Sequence, residues 1–292
     1  MFSRTRMWVS LIVLQSISVL AFAQAPATAP LATSQLKPDV FWISGGGGNS
    51  GVIIGDKGVI VIDAKISAES GKQLLEEIAK ITTKPVKAVI LTHSDGDHVN
   101  GLASFPEGIR IIAHENNRKE QEQALAAGGR GAPPVGHLPT EVLTKNKESF
   151  VIEGVQFEGY HWGPAHTSGD LVIYLPKEKV VFTGDLTANG DPRIHSEKGG
   201  TTLGWITTST GMLQLDSDQF VPGHGMVLSK SDIQAKLTQT EAKRAKIQAL
   251  VKQGKSLEEI KSEVGDDPPG GGMGAPFPSF TELVFQESMQ KP

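Results

Sequence analysis

Between Leu91 and Gly101 the chain reads LTHSDGDHVNG. His93, Asp95, Asp97 and His98 can each bind a proton or a metal ion. Two imidazoles and two carboxylates packed this closely repel one another or pay a desolvation cost unless positive charge sits among them. A calcium loop is one local reading of Asp95-Gly96-Asp97, but it fails downstream. The EF-hand pattern asks for Asp or Asn at 99, Gly at 100 and Glu at 106, and the chain has Val99, Asn100 and Pro106. With no cysteine anywhere, thiolates are excluded as ligands or nucleophiles. The chemistry left is that of imidazole, carboxylate, hydroxyl and metal.

These residues need elements to hold them. VKAVIL (86–91) is a continuous apolar run, the mark of a strand buried on both faces. GVIIG (51–55) and GVIVIDA (58–64) predict a hairpin turning at Asp56-Lys57. Leu74, Leu75, Ile78 and Ile81 recur at helical spacing over 68–81. IRIIAH (109–114) predicts a further strand, followed by a polar helix to about Ala127. GGRGAPPVGHLP (128–139) is a loop without periodicity. FVIEGVQFEGYHW (150–162) predicts a second hairpin, LVIYLP (171–176) and KVVFTGDL (179–186) two more strands, and QFVPGHG (219–225) the end of another. Residues 230–264 read as one or two helices. Strands with interspersed helices, twice over, point to an α/β layered domain.

Four predicted strand ends each deliver His or Asp: the 93–98 cluster, His166 in GPAHTSGD, Asp185 in VVFTGD and His224 in VPGHG. Sites in open α/β sheets gather at strand carboxyl ends. His114, His137, His161 and His195 keep the default reading of loop or hydrogen-bonding residues. THSDGDHVNG, GPAHTSGDLVIYLP, VVFTGDL and VPGHG, in this order and spacing, resemble the metal-binding motifs of the metallo-β-lactamase superfamily, over about residues 40–230. The resemblance implies an α/β fold, a four-layer αββα sandwich, with a two-metal site at one edge. Residue by residue it implies His93, Asp95 and His166 at a first divalent ion, Asp97, His98 and His224 at a second, and Asp185 bridging. Zinc suits this donor set, with iron or manganese also compatible. The expected reaction is attack by a metal-bridging hydroxide, with Asp97 as the catalytic group that orients it and passes its proton on.

The family's usual H-x-H-x-D-H is H-x-D-x-D-H here. Two divalent cations bring four positive charges, while Asp97, Asp185 and a hydroxide bring three negative ones. Asp95 therefore turns a net positive cluster neutral, making a weaker Lewis acid that admits harder metals.

The expected substrate is a small ester, thioester, lactone or lactam. A periplasmic β-lactamase and a non-catalytic metal-binding accessory protein are the alternatives. A lactamase carrying Cys at the Asp185 position usually grips the substrate carboxylate with Lys three residues on. Ala188 stands there, leaving Arg130 or Arg193 as substitutes. A formal net charge of −4 and dispersed Lys and Arg argue against nucleic acid. GGGGNS (45–50) and the 128–139 loop are expected to flank the mouth, the former as a flexible hairpin tip. His161, His195 and Asn189 are candidate neighbours of ligands or substrate, with a plain structural role the stronger reading.

At the N-terminus, Arg4 and Arg6 precede the apolar stretch WVSLIVLQSISVLAF (8–22), and Ala21-Phe22-Ala23 offers a small-residue cleavage site. Residues 1–23 are thus expected to be a signal peptide, with no membrane association after cleavage and a periplasmic or secreted product. Residues 24–39 are expected to be a linker, 40–264 the domain with its C-terminal helices, and 265–292 a loosely held Gly/Pro-rich arm.

Overall fold

The protein was analysed as a computed structural model that describes residues 30–128, 132–187, 190–265 and 278–290. The proposed signal peptide lies outside the described residues. One sheet has seven strands in the order β1 (Ala32–Lys37), β2 (Val40–Ser44), β3 (Ser50–Ile54), β4 (Val59–Ile62), β5 (Val86–Ile90), β6 (Arg110–His114) and β7 (Glu141–Leu143). The second has five: β12 (Gln219–Pro222), β11 (Val180–Gly184), β10 (Val172–Leu175), β9 (Val155–Tyr160) and β8 (Lys147–Ile152). β4 through β7 run parallel, as do β11 and β12; the remaining neighbours are antiparallel.

The side-chain alternation of a strand assigns each face. Ile60, Ile62, Ala88 and Ile90 of one sheet meet Ile173, Leu175, Val180 and Phe182 of the other in a central core. Val59, Val61 and Val89 point the opposite way, onto Leu74 and Ile78 of α1 (Ala68–Ile81). Val172, Tyr174 and Val181 likewise face away from the centre. They pack with residues of α4 (Thr202–Met212), α5 (Lys230–Lys252), α6 (Leu257–Val264) and α7 (Phe280–Met289). Strands covered on both faces need apolar residues at every position, which is why they read as continuous runs. The product is a four-layer αββα sandwich. A short helix α2 (Gly96–Val99) and the longer α3 (Glu115–Ala127) follow β5 and β6.

Two elements depart from the sequence expectation, and a third, α4, lies where the sequence reading assigned none. The segment read as linker carries β1, an exposed edge strand paired to β2. Its backbone satisfies itself on the sheet edge without needing a hydrophobic pattern. α4 has the sequence TLGWITTSTGM, rich in residues with poor helix propensity. Burial of Trp205 and Met212 and a Thr201 cap override that bias. The second departure is the C-terminal arm: residues 266–277 are outside the described ones, but α7 beyond them is docked. Phe280, Leu283 and Val284 are buried, and Glu287 accepts from the Thr202 amide at 2.8 Å. A capping box of Ser279 and Glu282 starts this helix, and equivalent Ser-x-x-acid boxes start α5 and α6.

If α7 belongs to the core, Phe280→Ala should lower stability by about 3–5 kcal/mol, the usual range for a buried Phe truncation. Met289→Ala, at an exposed position, should change it by less than about 0.5 kcal/mol. Urea titration of both variants checks this, and equal small effects would show that α7 is not docked.

Candidate functional site

Strand ends of both sheets converge on one point. His93, Asp95, Asp97 and His98 follow β5, with Asp97 and His98 on α2. Asp95 is the residue preceding that helix, yet its side chain makes no capping bond, so the carboxylate is turned toward the site. His166 lies in the β9–β10 loop, Asp185 directly follows β11 and His224 follows β12. The structure therefore brings all seven sequence-derived candidates together. His98 Nε2 lies 3.2 Å from Asp185 Oδ1, and His224 Nε2 lies 3.0 Å from Asp97 Oδ2 and 3.3 Å from Asp185 Oδ2. Asp95 Oδ2 lies 3.1 Å from His166 Nε2 and 3.8 Å from His93 Nε2.

The outer nitrogens explain why the inner ones face one another. His98 Nδ1 is 2.8 Å from Asp63 Oδ2, and Asp63 itself accepts from the Thr92 amide and hydroxyl. His93 Nδ1 is 2.9 Å from Thr92 Oγ1, and His166 Nδ1 is 2.7 Å from the Arg193 carbonyl. Holding each Nδ1 fixes the ring and leaves Nε2 for the centre, the arrangement typical of metal-ligating histidines. Close backbone approach completes the cage. A Cβ on Gly48 would fall 2.5 Å from the His98 ring, and one on Gly223 2.0 Å from Asp185 Oδ1, so both positions require glycine.

The GGGGNS segment is a packed wall of the site rather than a flexible tip. Lys65, fully buried, donates to the carbonyls of Ile43 and Gly48. Asn49 Nδ2 donates to those of Pro222 and Gly225, flanking His224. Burial, partly offset by Asp63, lowers the Lys65 ammonium to about 7. On the far side, Glu120 accepts from the Ser168 amide and hydroxyl and from Ser94, tying the His166 loop to the His93 loop. Asp170 accepts from Thr167 and Ala165, and burial raises it to about 6.

Charge is the dominant feature. Burial and then repulsion from His98 lower His93 to about 3. Burial opposes protonation of His166, but Asp95 outweighs it and raises the ring to about 10. Hydrogen bonds to Asp185 and Asp97 raise His224 to about 9. Burial opposes ionisation of Asp185, yet the surrounding imidazoles hold it well below the usual carboxylate range. Even so, His93 Nε2, His98 Nε2 and Asp185 Oδ1 are buried without a well-formed hydrogen bond, the last two facing each other at 3.2 Å in poor hydrogen-bond geometry. Buried polar atoms are normally satisfied. Three inward-facing orphans in one cluster are what a cation would satisfy. A tetrahedral zinc with ligands at about 2.0–2.1 Å has donor–donor edges of about 3.3–3.4 Å, close to the separations given above. The residues thus fit a divalent metal. Among the described residues, four overlapping His/Asp groups have donor atoms all within 4.8 Å of one another, Asp63 entering one of them and His195 another.

The sequence reading missed Asp63 and Lys198, and it gave His195, a candidate neighbour of the ligands, a structural role as the stronger reading. His195 Nε2 lies 3.2 Å from Asp95 Oδ2, and Lys198 Nζ pairs with Asp95 Oδ1. The only signal for Asp63 was its position after the β4 run. Arg193 approaches the cluster through its carbonyl while its side chain is exposed. Arg130, Ala188 and Asn189 lie outside the described residues, as do 129–131 of the Gly/Pro loop. In the described part of that loop, His137 Nε2 sits against the Phe105 carbonyl. His161 Nδ1 sits against the Asp170 carbonyl, and its ring stacks on His114. Both keep structural roles.

Among curated proteins, the chain is 30% identical over 208 residues to the α subunit of a 2,4-dinitroanisole O-demethylase of Nocardioides sp. strain JS1661, covering 70% of this chain and 61% of that one. It is 23% identical to a linear primary-alkylsulfatase of a Pseudomonas strain, covering 59% and 40%. It is 29% identical to a type 2 metallo-β-lactamase of Elizabethkingia meningoseptica, covering 50% and 54%. The chain thus spans between 40% and 61% of the length of these relatives. Among solved structures, a metallo-β-lactamase from Pontibacter korlensis superposes with a TM-score of 0.62 at 20% identity, covering 72% of this chain and 99% of that one. A sec-alkylsulfatase from Pseudomonas sp. superposes with 0.65 at 18%, covering 87% and 47%. Both show the same fold. The model of the metallo-beta-lactamase superfamily matches residues 43–224, the span that contains every convergent ligand candidate, and the chain belongs to that superfamily.

Proposed function

We propose that the chain is an exported hydrolase that works through two divalent metal ions, zinc foremost, on a small ester, thioester, lactone or lactam. Superfamily membership and the His/Asp clusters support the coarser statement, a metal-dependent hydrolase. The observation that carries the metal-centre part of the finer one is the set of three buried ligand atoms without a well-formed hydrogen bond inside a seven-residue cluster. His93, Asp95 and His166 would hold one ion, Asp97, His98 and His224 the other, and Asp185, with Oδ1 beside His98 and Oδ2 3.3 Å from His224 and 4.0 Å from His166, would be shared. Bound there, the ions would supply a hydroxide nucleophile at neutral pH and polarise the scissile bond. Asp97 is the most exposed carboxylate of the cluster, and burial, outweighed by His224 and His98, leaves it lowered to about 2. It is therefore an ionised acceptor at the mouth, placed to orient the attacking group and to take its proton. By their names the relatives act on a methyl aryl ether, an alkyl sulfate and β-lactams, all small molecules, which favours a small-molecule substrate here. Export rests on the charged, then apolar, then small-residue order of the first 23 residues.

Two outcomes test this reading. The protein loaded with zinc should retain about two equivalents and hydrolyse at least one of nitrocefin, a p-nitrophenyl ester, a thioester or a lactone. Asp97→Ala should lower kcat by at least about 10²-fold, the lower range for a lost acid–base group. Two bound equivalents with no metal-dependent turnover on any substrate would favour the non-catalytic accessory instead.

The second outcome concerns protons. In the metal-free protein His166 and His224, at about 10 and about 9, are protonated at neutral pH. Ligation requires them neutral, so metal binding must release protons, and affinity must rise as pH rises toward 9. Calorimetric zinc titration at pH 7.5 in two buffers of different ionisation heat should show net release of at least about one proton. No release would contradict the assignment of these two rings as ligands.

A further inference from the structure

Asp95 removes an imidazole from the first metal group, and the structure offers a replacement. The geometry points to His195 as an additional ligand of the first metal, taking the place of the imidazole that Asp95 displaces. This rests on the metal-centre reading above.

Several observations converge. His195 Nε2 is 3.2 Å from Asp95 Oδ2, and the same oxygen is 3.1 Å from His166 Nε2. Both separations lie near the donor–donor edge of about 3.3–3.4 Å expected around zinc. The His195 and His166 rings meet edge to face with centroids 5.0 Å apart, matching the 4.8 Å of His93 and His166. His195 also has its outer nitrogen held: Nδ1 pairs with Glu197, as the Nδ1 atoms of His93, His98 and His166 are held by Thr92, Asp63 and the Arg193 carbonyl. His161 and His114, by contrast, stack on each other.

The backbone fixes this placement. The His195 amide donates to the His166 carbonyl at 2.7 Å, while the Arg193 carbonyl lies 2.7 Å from His166 Nδ1. The two loops are thereby locked together on both sides of the His166 ring. The Gly200 amide then donates to the His195 carbonyl, closing the turn that brings Lys198 back.

Lys198 completes the substitution. Its ammonium holds Asp95 Oδ1 and also reaches Ser94 at 3.2 Å, so Asp95 presents Oδ2 alone to the site. It also adds a positive charge beside the carboxylate, returning the cluster to the net charge it would have with a histidine at 95. The H-x-D-x-D-H motif is thus a relocation of one imidazole from the β5 loop to the β11–α4 loop, with its charge compensated.

The test uses the full mature chain as wild type, His195→Ala and His195→Asn, each stripped of metal and reloaded. Zinc affinity is read by competition with a chromophoric chelator, and cobalt(II) absorption reports the ligand set. Wild type should bind two equivalents. Both variants should bind one of them at least tenfold more weakly and show an altered cobalt spectrum, because Asn keeps a hydrogen-bond donor to Asp95 but supplies no imidazole. Melting of the metal-free proteins reports folding, so that His195→Asn stands alone if the alanine variant does not fold. Wild-type affinity and spectrum in either folded variant, or full recovery by Asn of what Ala loses, would overturn the assignment of His195 and leave the metal centre intact. A wild type that binds no metal would overturn both.

Discussion

One constraint organises the molecule: imidazoles and carboxylates cannot share a buried crevice unless their charges and lone pairs are answered. In the site they are answered from outside by a ring of fixed partners. Asp63, Thr92, Glu197 and the Arg193 carbonyl hold the outer nitrogens of four histidines. From inside, buried atoms of His93, His98 and Asp185 lack a well-formed hydrogen bond. Desolvation makes such orphans costly, and the cost is tolerable where a cation takes them up. The raised His166 and His224 and the strongly acidic Asp185 express the same field, with protons supplying charge that a bound metal would supply.

The fold serves this constraint by geometry. Parallel pairing of β4 with β5 and of β11 with β12 points Asp63, His93, Asp185 and His224 out of the same edge of the two sheets. Backbone contact then brings the loops within ligand reach: Asn49 to the carbonyls beside His224, Lys65 to the Gly48 carbonyl, and the His195 amide to the His166 carbonyl. Glycines at 48 and 223 are part of the same device, since any side chain there would occupy the space of His98 or Asp185. These contacts hold seven candidate ligands in one geometry, as a preorganised site requires.

Most of this was legible in the chain. Apolar runs marked β4, β5, β10 and β11, the 3.6-residue spacing of Leu74 and Ile78 marked α1, and strand-end His and Asp marked the cluster. What escaped had physical reasons. β1 is an edge strand held by backbone pairing, with little hydrophobic pattern to read. α4 is a helix whose Thr and Gly content opposes it and whose tertiary burial wins. α7 hid behind a Gly/Pro-rich stretch, although its Ser279-x-x-Glu282 box was a helix signal. His195 was named only as a candidate neighbour, with a structural role preferred, because its neighbours in space, His166 and Asp95, are distant in sequence and meet it only through the closed 193–200 turn. Asp63 looked like the end of a strand, and only its contact with His98 reveals its purpose.

The central claim is that cations occupy this cluster, and anomalous diffraction from a zinc-soaked crystal measures that directly. Two anomalous peaks roughly 3.5–4 Å apart, one among His93, Asp95 and His166 and one among Asp97, His98 and His224, are the expected result. A metal-replete crystal with no peak in the cluster, or with its peaks elsewhere on the surface, would contradict the account.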